Sequence, residues 1–165
     1  MIFKANFSVE FISSFLLIWI IKHSSKFLEQ NKFSEQTQVY ALLYGLVDSP
    51  DRERVIKTIA DENLYSEQSF SYYVAASVFR ERPQWALDFI RENWGKQMLT
   101  PHFNGAWHEA WDIASFGDDL LSTSHAWSGG PTALLPEKVL GIESTSAGWK
   151  TFAVRPNLAD LKWAK

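Results

Sequence analysis

Apolar residues recur at helical spacing from Ser34 to Trp94, and this periodicity constrains the fold more than any other feature of the sequence. In the first part they fall at i, i+3, i+4, i+7 and i+8, which is the pattern of one buried helix face: Val39, Leu42, Leu43, Leu46 and Val47. Ser34 is a suitable N-cap for this helix. We expect Asp48-Ser49-Pro50 to end it and to start the next helix, with Pro50 in the first turn.

Three further helices are predicted in the same stretch. Ser66 is expected to cap the third helix, Pro83 to open the fourth, and Gly95 to stop the fourth. The predicted buried stripes of the second to fourth helices are Val55, Ile56, Ile59 and Ala60, then Phe70, Tyr73, Val74, Ser77 and Val78, then Trp85, Ala86, Phe89 and Ile90.

Two helix starts resemble each other in sequence. Ser34-Glu-Gln-Thr-Gln-Val-Tyr40 recurs as Ser66-Glu-Gln-Ser-Phe-Ser-Tyr72, one helix pair later. A repeat of roughly 30–45 residues built from helix pairs is typical of stacked or toroidal helical arrays. The sequence therefore predicts a mainly α-helical fold.

The pattern changes after the fourth helix. Residues 97–121 lack a sustained period, and a long aperiodic insert in a helical domain favours a functional role. A last helix is expected from Ser128 or Pro131 to Leu140, with Gly141 as its stop. Phe152 and Val154 then alternate with smaller or polar residues, which predicts a strand. We expect this strand to lack a partner and to be the start of a truncated β-domain.

The N-terminal part contains a dense apolar run at Phe15–Ile21. It is shorter than the about 20 apolar residues that span a bilayer. Its start is weakly basic and no A-x-A-like site follows it, so a signal peptide is not convincing. A buried helix, a signal or anchor segment, and sequence outside any proper fold all stay open, as do cytoplasmic and secreted locations.

Composition excludes some function classes. The formal net charge of -3 argues against a nucleic-acid partner, which needs a basic surface. Cysteine is absent, so disulfides and thiolate metal sites are excluded, although the compartment stays open. The 8 tryptophans suit either a core or a carbohydrate-binding surface.

Candidate chemistry is concentrated between residues 104 and 132. Glu109 lies in a predicted loop beside Trp107 and Trp111, and a carboxylate next to indole faces is what a sugar-processing site needs. Glu109 could instead cap a short helix or pair with an arginine. His125, next to Trp127, could donate to a sugar hydroxyl or satisfy a turn.

Other site classes find little support in the sequence. His102 and His108 have no carboxylate at a recognisable ligand spacing, so no metal site is predicted. Ser128-Gly-Gly130 lacks the glycine spacing and the lysine of a phosphate-binding loop, and there is no G-x-S-x-G elbow. No cofactor is predicted.

On these residues the chain resembles the C-terminal part of the catalytic domain of bacterial α-L-rhamnosidases, the six-hairpin enzymes of glycoside hydrolase family 78. The resemblance covers roughly residues 27–165. Its more specific patches are Gly105-Ala-Trp-His-Glu109-Ala-Trp111 and Ser124-His-Ala-Trp-Ser-Gly-Gly-Pro131, and it also includes Ser34–Gly45, Ala86–Trp94, Val139–Ile142 and Val154–Pro156.

The resemblance implies a partial (α/α)6 toroid followed by the first strands of a C-terminal β-sandwich. It implies inverting hydrolysis by two separated carboxylates, with Glu109 as general base and His125 in contact with rhamnose. His108 stands where many members have tryptophan. The family's general acid belongs to an upstream acidic motif that residues 1–33 do not resemble, and Asp48–Arg54 is interpreted as a decoy.

The sequence thus predicts three parts: residues 1–26 as an apolar segment of unknown role, 27–145 as the partial catalytic domain, and 146–165 as the start of the β-domain. The expected substrate is a rhamnose-containing glycoside or polysaccharide, bound by His125, Trp107, Trp111 and Trp127. The expected chain is a fragment without its general acid, prone to self-association through exposed apolar faces. A membrane partner is not expected. A non-catalytic sugar-binding module, an inactive truncated product and a six-hairpin hydrolase for another sugar stay open.

Overall fold

A computed structural model describes residues 34–61, 66–112 and 121–165. The predicted apolar segment 1–26, including Phe15–Ile21, lies outside the described residues. Within the described ranges four longer helices come first, and short helical segments and a small sheet follow.

Helix α1 covers Glu35–Leu43 and begins directly after Ser34, as predicted. Its end was predicted wrongly, because the helix stops before Leu46 and Val47. Gly45 takes a left-handed conformation with φ of +66° and donates its N–H to the Leu42 carbonyl, while the Leu46 N–H reaches the Ala41 carbonyl at 2.8 Å. These two bonds form a Schellman motif, which ends a helix by satisfying its last carbonyls.

Helices α2 (Ser49–Asp61) and α3 (Gln68–Val78) follow. Pro50 lies in the first turn of α2, as predicted, and the predicted stripe residues Val55, Ile56 and Ile59 are buried. Helix α3 begins two residues after the predicted cap Ser66, with Glu67 in the capping position. The buried residues of α3 are Gln68, Ser71, Val74, Ala75, Ser77 and Val78, whereas Tyr73 of the predicted stripe is exposed.

Helix α4 covers Pro83–Met98. Pro83 opens it as predicted, but Gly95 does not stop it. Gly95 keeps helical geometry, and no heavy atom lies within 4 Å of the position its Cβ would take. The helix therefore continues for almost another turn and carries Gln97 into the interior.

The core forms around α3, which packs against α1, α4 and the segment after residue 125. Trp94 of α4 is buried in this core and donates its indole N–H to the Ser128 carbonyl at 2.7 Å. The bond connects α4 to the segment after residue 125, next to the cluster of buried apolar side chains that contains Trp94. Its other members include Val39, Ile56, Ile59, Val74, Val78, Phe79, Ala86, Leu87 and Leu134.

The last helical stretch is irregular. A 3-10 turn at Ala126–Gly129 leads into a short α-helix at Gly130–Leu134, and a π-helical turn at Leu135–Val139 completes the segment. Gly141 follows with φ of +66°. The predicted helix between Ser128 and Leu140, with a glycine stop, is therefore confirmed.

A two-stranded antiparallel sheet pairs β1 (Ile142–Ser144) with β2 (Phe152–Val154). Ile142 is opposite Val154 and Ser144 is opposite Phe152. The expectation of an unpartnered strand was wrong, because β1 precedes β2 and forms hydrogen bonds along one of its edges. A mainly helical chain with β-structure at its C-terminal end is confirmed, while the division at residue 145 stays a prediction.

Several apolar side chains near the C-terminus are exposed: Trp149, Phe152, Val154 and Trp163. Self-association through such faces stays a prediction. Within the described ranges, no helix combines the length and the apolar character that crossing a bilayer requires.

Candidate functional site

Two loops that are distant in sequence lie side by side and form the candidate site. The Glu109 N–H donates to the Ser122 carbonyl at 2.8 Å, and the His125 N–H donates to the Trp107 carbonyl at the same distance. The pairing resembles a short antiparallel ladder between residues 107–109 and 122–125. It fixes the backbone of Glu109 relative to that of His125.

The Glu109 side chain is held by the opposite loop. Its Oε2 atom accepts the Ser122 N–H at 2.9 Å and lies 3.5 Å from Nδ1 of His125. Both side chains are partly exposed. Among the described residues, no hydrogen-bond partner occupies Oε1, so one carboxylate oxygen is anchored and the other can serve as an acceptor.

Trp127 completes this cluster. Its ring lies against the His125 ring with centroids 3.9 Å apart, and its indole N–H donates to the Glu109 carbonyl at 3.1 Å. The side chain is 49% exposed. The indole edge is therefore fixed to the Glu109 peptide, while much of the ring surface can be reached by a ligand. The structure brings Glu109, His125 and Trp127 together.

Trp111 lies elsewhere. Its indole N–H donates to the Ser66 carbonyl at 2.9 Å, and its ring meets buried Trp94 edge-to-face with centroids 4.9 Å apart. These contacts anchor the loop to the start of α3. Trp107 is partly buried, and its ring centroid lies 5.5 Å from that of Phe103. Sugar contacts by Trp107 and Trp111 stay predictions.

The other two histidines considered in the sequence, His108 and His102, lie outside the cluster of Glu109, His125 and Trp127. The His108 side chain points inward and is buried, and its Nε2 has no hydrogen-bond partner among the described residues. His102 is exposed. Across the described ranges, no group of three or more His, Cys, Asp or Glu side chains is arranged to hold a metal ion.

The Asp48–Arg54 segment, interpreted as a decoy, lies near the other end of α3. Arg52 binds the carboxylate of Glu81 through two hydrogen bonds of 2.9 and 2.7 Å, and Glu81 follows the C-terminal end of that helix. The loop that carries Glu109 is attached through Trp111 to Ser66, before the start of α3. An α-helix of this size separates its two ends by about 15 Å.

Sequence reasoning missed a buried amide pair behind the site. Gln68 and Gln97 bind each other through two hydrogen bonds of 3.2 Å. Gln97 also accepts the His108 N–H and donates to the Ala110 carbonyl, both at 3.4 Å. The spacing Ile90, Trp94, Gln97 could have revealed it, because a polar residue there occupies the apolar face of α4.

One further titratable group is perturbed. Glu35, at the start of α1, is 5% exposed, and its Oε2 has no hydrogen-bond partner in the part of the chain that the structure describes. Burial raises the pKa of the Glu35 carboxyl to about 7, because removing water disfavours the charged form.

Comparison with known proteins points to one class. No protein-family model and no curated protein matches this chain. The crystal structure of a rhamnosidase of family GH78 from Bacillus sp. GL1 is similar, with a TM-score of 0.62 and 25% sequence identity. The match covers 78% of this chain and 14% of that chain. The resemblance predicted from the sequence motifs is thus also found in the fold, over a small part of the larger protein.

Proposed function

We propose that this chain carries the general-base half of a glycoside hydrolase site of the α-L-rhamnosidase type. The proposal rests foremost on the cluster in which Glu109, His125 and Trp127 meet, partly exposed, on two paired loops. The similarity to a GH78 rhamnosidase supports a glycoside hydrolase-like class. The specific reaction, inverting hydrolysis of terminal α-L-rhamnosides, is the finer part of the proposal.

In the proposed reaction Glu109 accepts a proton from water through its Oε1 atom. The water oxygen bonds to the anomeric carbon as the glycosidic C–O bond breaks, and the leaving oxygen takes a proton from a separate acid. Attack from the face opposite the leaving group inverts the anomeric configuration, and the two carboxyls of such sites stand about 6.5–9.5 Å apart. We assign only the base to this chain. The acid belongs to the proposed upstream motif or to a complementing chain.

Substrate binding is assigned to the ring pair beside the base. His125 has its Nδ1 directed at Glu109, so its Nε2 serves a sugar hydroxyl. The exposed Trp127 ring offers an apolar face of the kind that stacks on pyranose rings. Trp107 and Trp111 are secondary candidates, since their rings contact neighbouring aromatic side chains.

A non-catalytic sugar-binding module is the second candidate function. The observation that favours it is that the His125–Trp127 pair is assembled by contacts within the two loops and needs no general acid. Binding of rhamnose without turnover, unchanged in Glu109→Gln, is the result expected of such a module.

The test uses leaving groups that differ in their need for an acid. The dinitrophenolate of a 2,4-dinitrophenyl rhamnoside leaves with little proton assistance, whereas the methoxy group of methyl α-L-rhamnoside requires protonation by an acid. We expect the isolated chain to hydrolyse the first and not the second, and to release the β-anomer first, as NMR can detect. Glu109→Gln is expected to lower the rate about 10²–10⁴-fold.

Glu143→Gln is the matched control, because Glu143 is an exposed glutamate on β1, away from the two loops. It should leave the rate unchanged. Release of dinitrophenolate at equal rates from the wild type and Glu109→Gln, with both folded, would contradict the assignment of the base.

A further inference from the structure

The amide of Gln97 contacts the backbone on both sides of Glu109. Its Oε1 accepts the N–H of His108, the residue before Glu109, and its Nε2 donates to the carbonyl of Ala110, the residue after it. Both distances are 3.4 Å. Glu109 uses its own N–H for Ser122 on the opposite loop. The residue is therefore held from the core side by α4 and from the other side by Ser122.

The orientation of this amide is dictated by its surroundings. The peptide N–H of His108 needs an acceptor and the carbonyl of Ala110 needs a donor, so only one of the two flipped orientations satisfies both. The reciprocal bonds with Gln68, which is fully buried, agree with this orientation, because the Gln68 amide presents its oxygen to Nε2 of Gln97 and its nitrogen to Oε1. A buried amide with all these partners resists reorientation, because each lost bond leaves a polar group unsatisfied.

We infer that Gln97 is a positioning residue that sets where the Glu109 carboxylate stands relative to His125. The inference rests on the proposed function for its catalytic meaning, although the contacts themselves do not. Residues 104–112 have no regular secondary structure, so side-chain bonds to their backbone decide their path. A catalytic group displaced by about 1 Å can lose a hundredfold in rate.

Gln97→Met removes the amide and nearly preserves its volume. Gln68→Met is the matched control, since it removes the partner amide and leaves both bonds from Gln97 to the loop in place. We expect Gln97→Met to lower kcat for the dinitrophenyl rhamnoside at least about tenfold with little change in KM. Gln68→Met should change kcat less than threefold. Equal effects of the two variants would assign Gln97 to packing alone.

A measurement without turnover separates this inference from the proposed function. Hydrogen exchange of the His108 and Glu109 amides should accelerate in Gln97→Met and not in Gln68→Met. The ring NMR shifts of His125 should move in the direction seen in Glu109→Gln, because in both variants the carboxylate leaves Nδ1. Unchanged amide exchange and His125 shifts in folded Gln97→Met would overturn the inference, whatever the activity.

Gln97→Asn serves if Gln97→Met does not fold. It keeps the amide but shortens the side chain by one methylene, so the bonds to the loop are lost while the site stays polar. The same exchange and His125 shift changes are expected, and their absence would overturn the inference in the same way.

Discussion

Nδ1 of His125 lies 3.5 Å from Oε2 of Glu109, although the residues belong to different loops. The same oxygen accepts the Ser122 N–H, whereas no residue in the described ranges donates a hydrogen bond to Oε1. The His125 ring in turn rests on Trp127, whose indole N–H returns to the Glu109 carbonyl. Each member of the cluster is thus held by another, and this makes single substitutions informative.

Replacing His125 with alanine should weaken binding of L-rhamnose about fivefold. One hydrogen bond of ordinary net strength, about 1 kcal/mol, corresponds to such a change. His102→Ala is the control, because His102 is an exposed histidine outside the cluster and should bind as the wild type does. Isothermal titration calorimetry measures both variants. Equal affinity in His125→Ala and the wild type would remove His125 from the binding site.

Trp111→Phe should lower stability more than it lowers sugar affinity. The change removes the donor to the Ser66 carbonyl, and an unsatisfied partner costs about 1–3 kcal/mol in the free energy of unfolding. Trp127→Phe is the comparison, since that ring is half-exposed and its loss should lower affinity more than stability. Urea unfolding and rhamnose titration of both variants measure the two effects. Weakened binding in Trp111→Phe at unchanged stability would make Trp111 a primary contact of the sugar rather than a secondary one.

Helix positions could be predicted from the sequence better than helix ends. The stripe of Val55, Ile56 and Ile59 gave α2 correctly because burial of apolar faces dominates helix formation in a folded chain. The ends depend on single backbone conformations. Gly45 adopts a positive φ and stops α1, whereas Gly95 stays helical inside α4. Glycine permits both outcomes, and the tertiary surroundings decide between them.

For the candidate site, the sequence indicated Glu109, His125 and three tryptophans, but it gave no way to see which tryptophan lies against Glu109 and His125. Trp107, Trp111 and Trp127 are the same residue type, and each lies within two residues of Glu109 or His125 in the sequence. Only the fold shows that Trp111 binds to the start of α3. Gln97 was missed because its role depends on α4 continuing past Gly95. The partner of β2 was missed because three-residue strands carry too short a pattern to detect.

Gly141→Ala and Gly95→Ala should change stability in opposite directions. A Cβ at Gly141 would lie 1.9 Å from the Arg155 carbonyl oxygen, where the end of the π-helical turn meets β2, and φ is +66°. A backbone atom cannot move aside cheaply, so we expect a loss of about 2 kcal/mol or more. At Gly95 there is open space, and alanine should gain about 0.5–1 kcal/mol from its helix propensity.

Chemical denaturation of the two glycine variants and the wild type measures both changes in the free energy of unfolding. Gly95→Ala also serves as the control for adding a methyl group as such. A Gly141→Ala protein as stable as the wild type would mean that the backbone at Arg155 moves away from the added Cβ at little cost in free energy.

Stability should fall as pH rises through the titration range of Glu35. Its pKa is raised from the ordinary value of 4.5 to about 7 by burial, so the folded state keeps a proton that the unfolded state has lost. The stabilisation from the neutral carboxyl is complete below pH 4.5, declines between pH 4.5 and 7, and is absent above pH 7. At about 1.4 kcal/mol per pKa unit, the loss is at most about 3 kcal/mol.

Glu35→Gln removes this dependence, because the amide is neutral at every pH and similar in size. We expect the variant and the wild type to unfold at similar urea concentrations at pH 4.5 and the variant to be more stable at pH 8. Glu67→Gln is the control: Glu67 precedes α3 as an exposed residue in the repeated Ser-Glu-Gln motif, so its substitution should leave the pH profile unchanged. Parallel pH profiles for Glu35→Gln and the wild type would mean that Glu35 is ionised in the folded chain. The buried carboxyl would then need a cationic or hydrogen-bonding partner, because an isolated charge there is too costly.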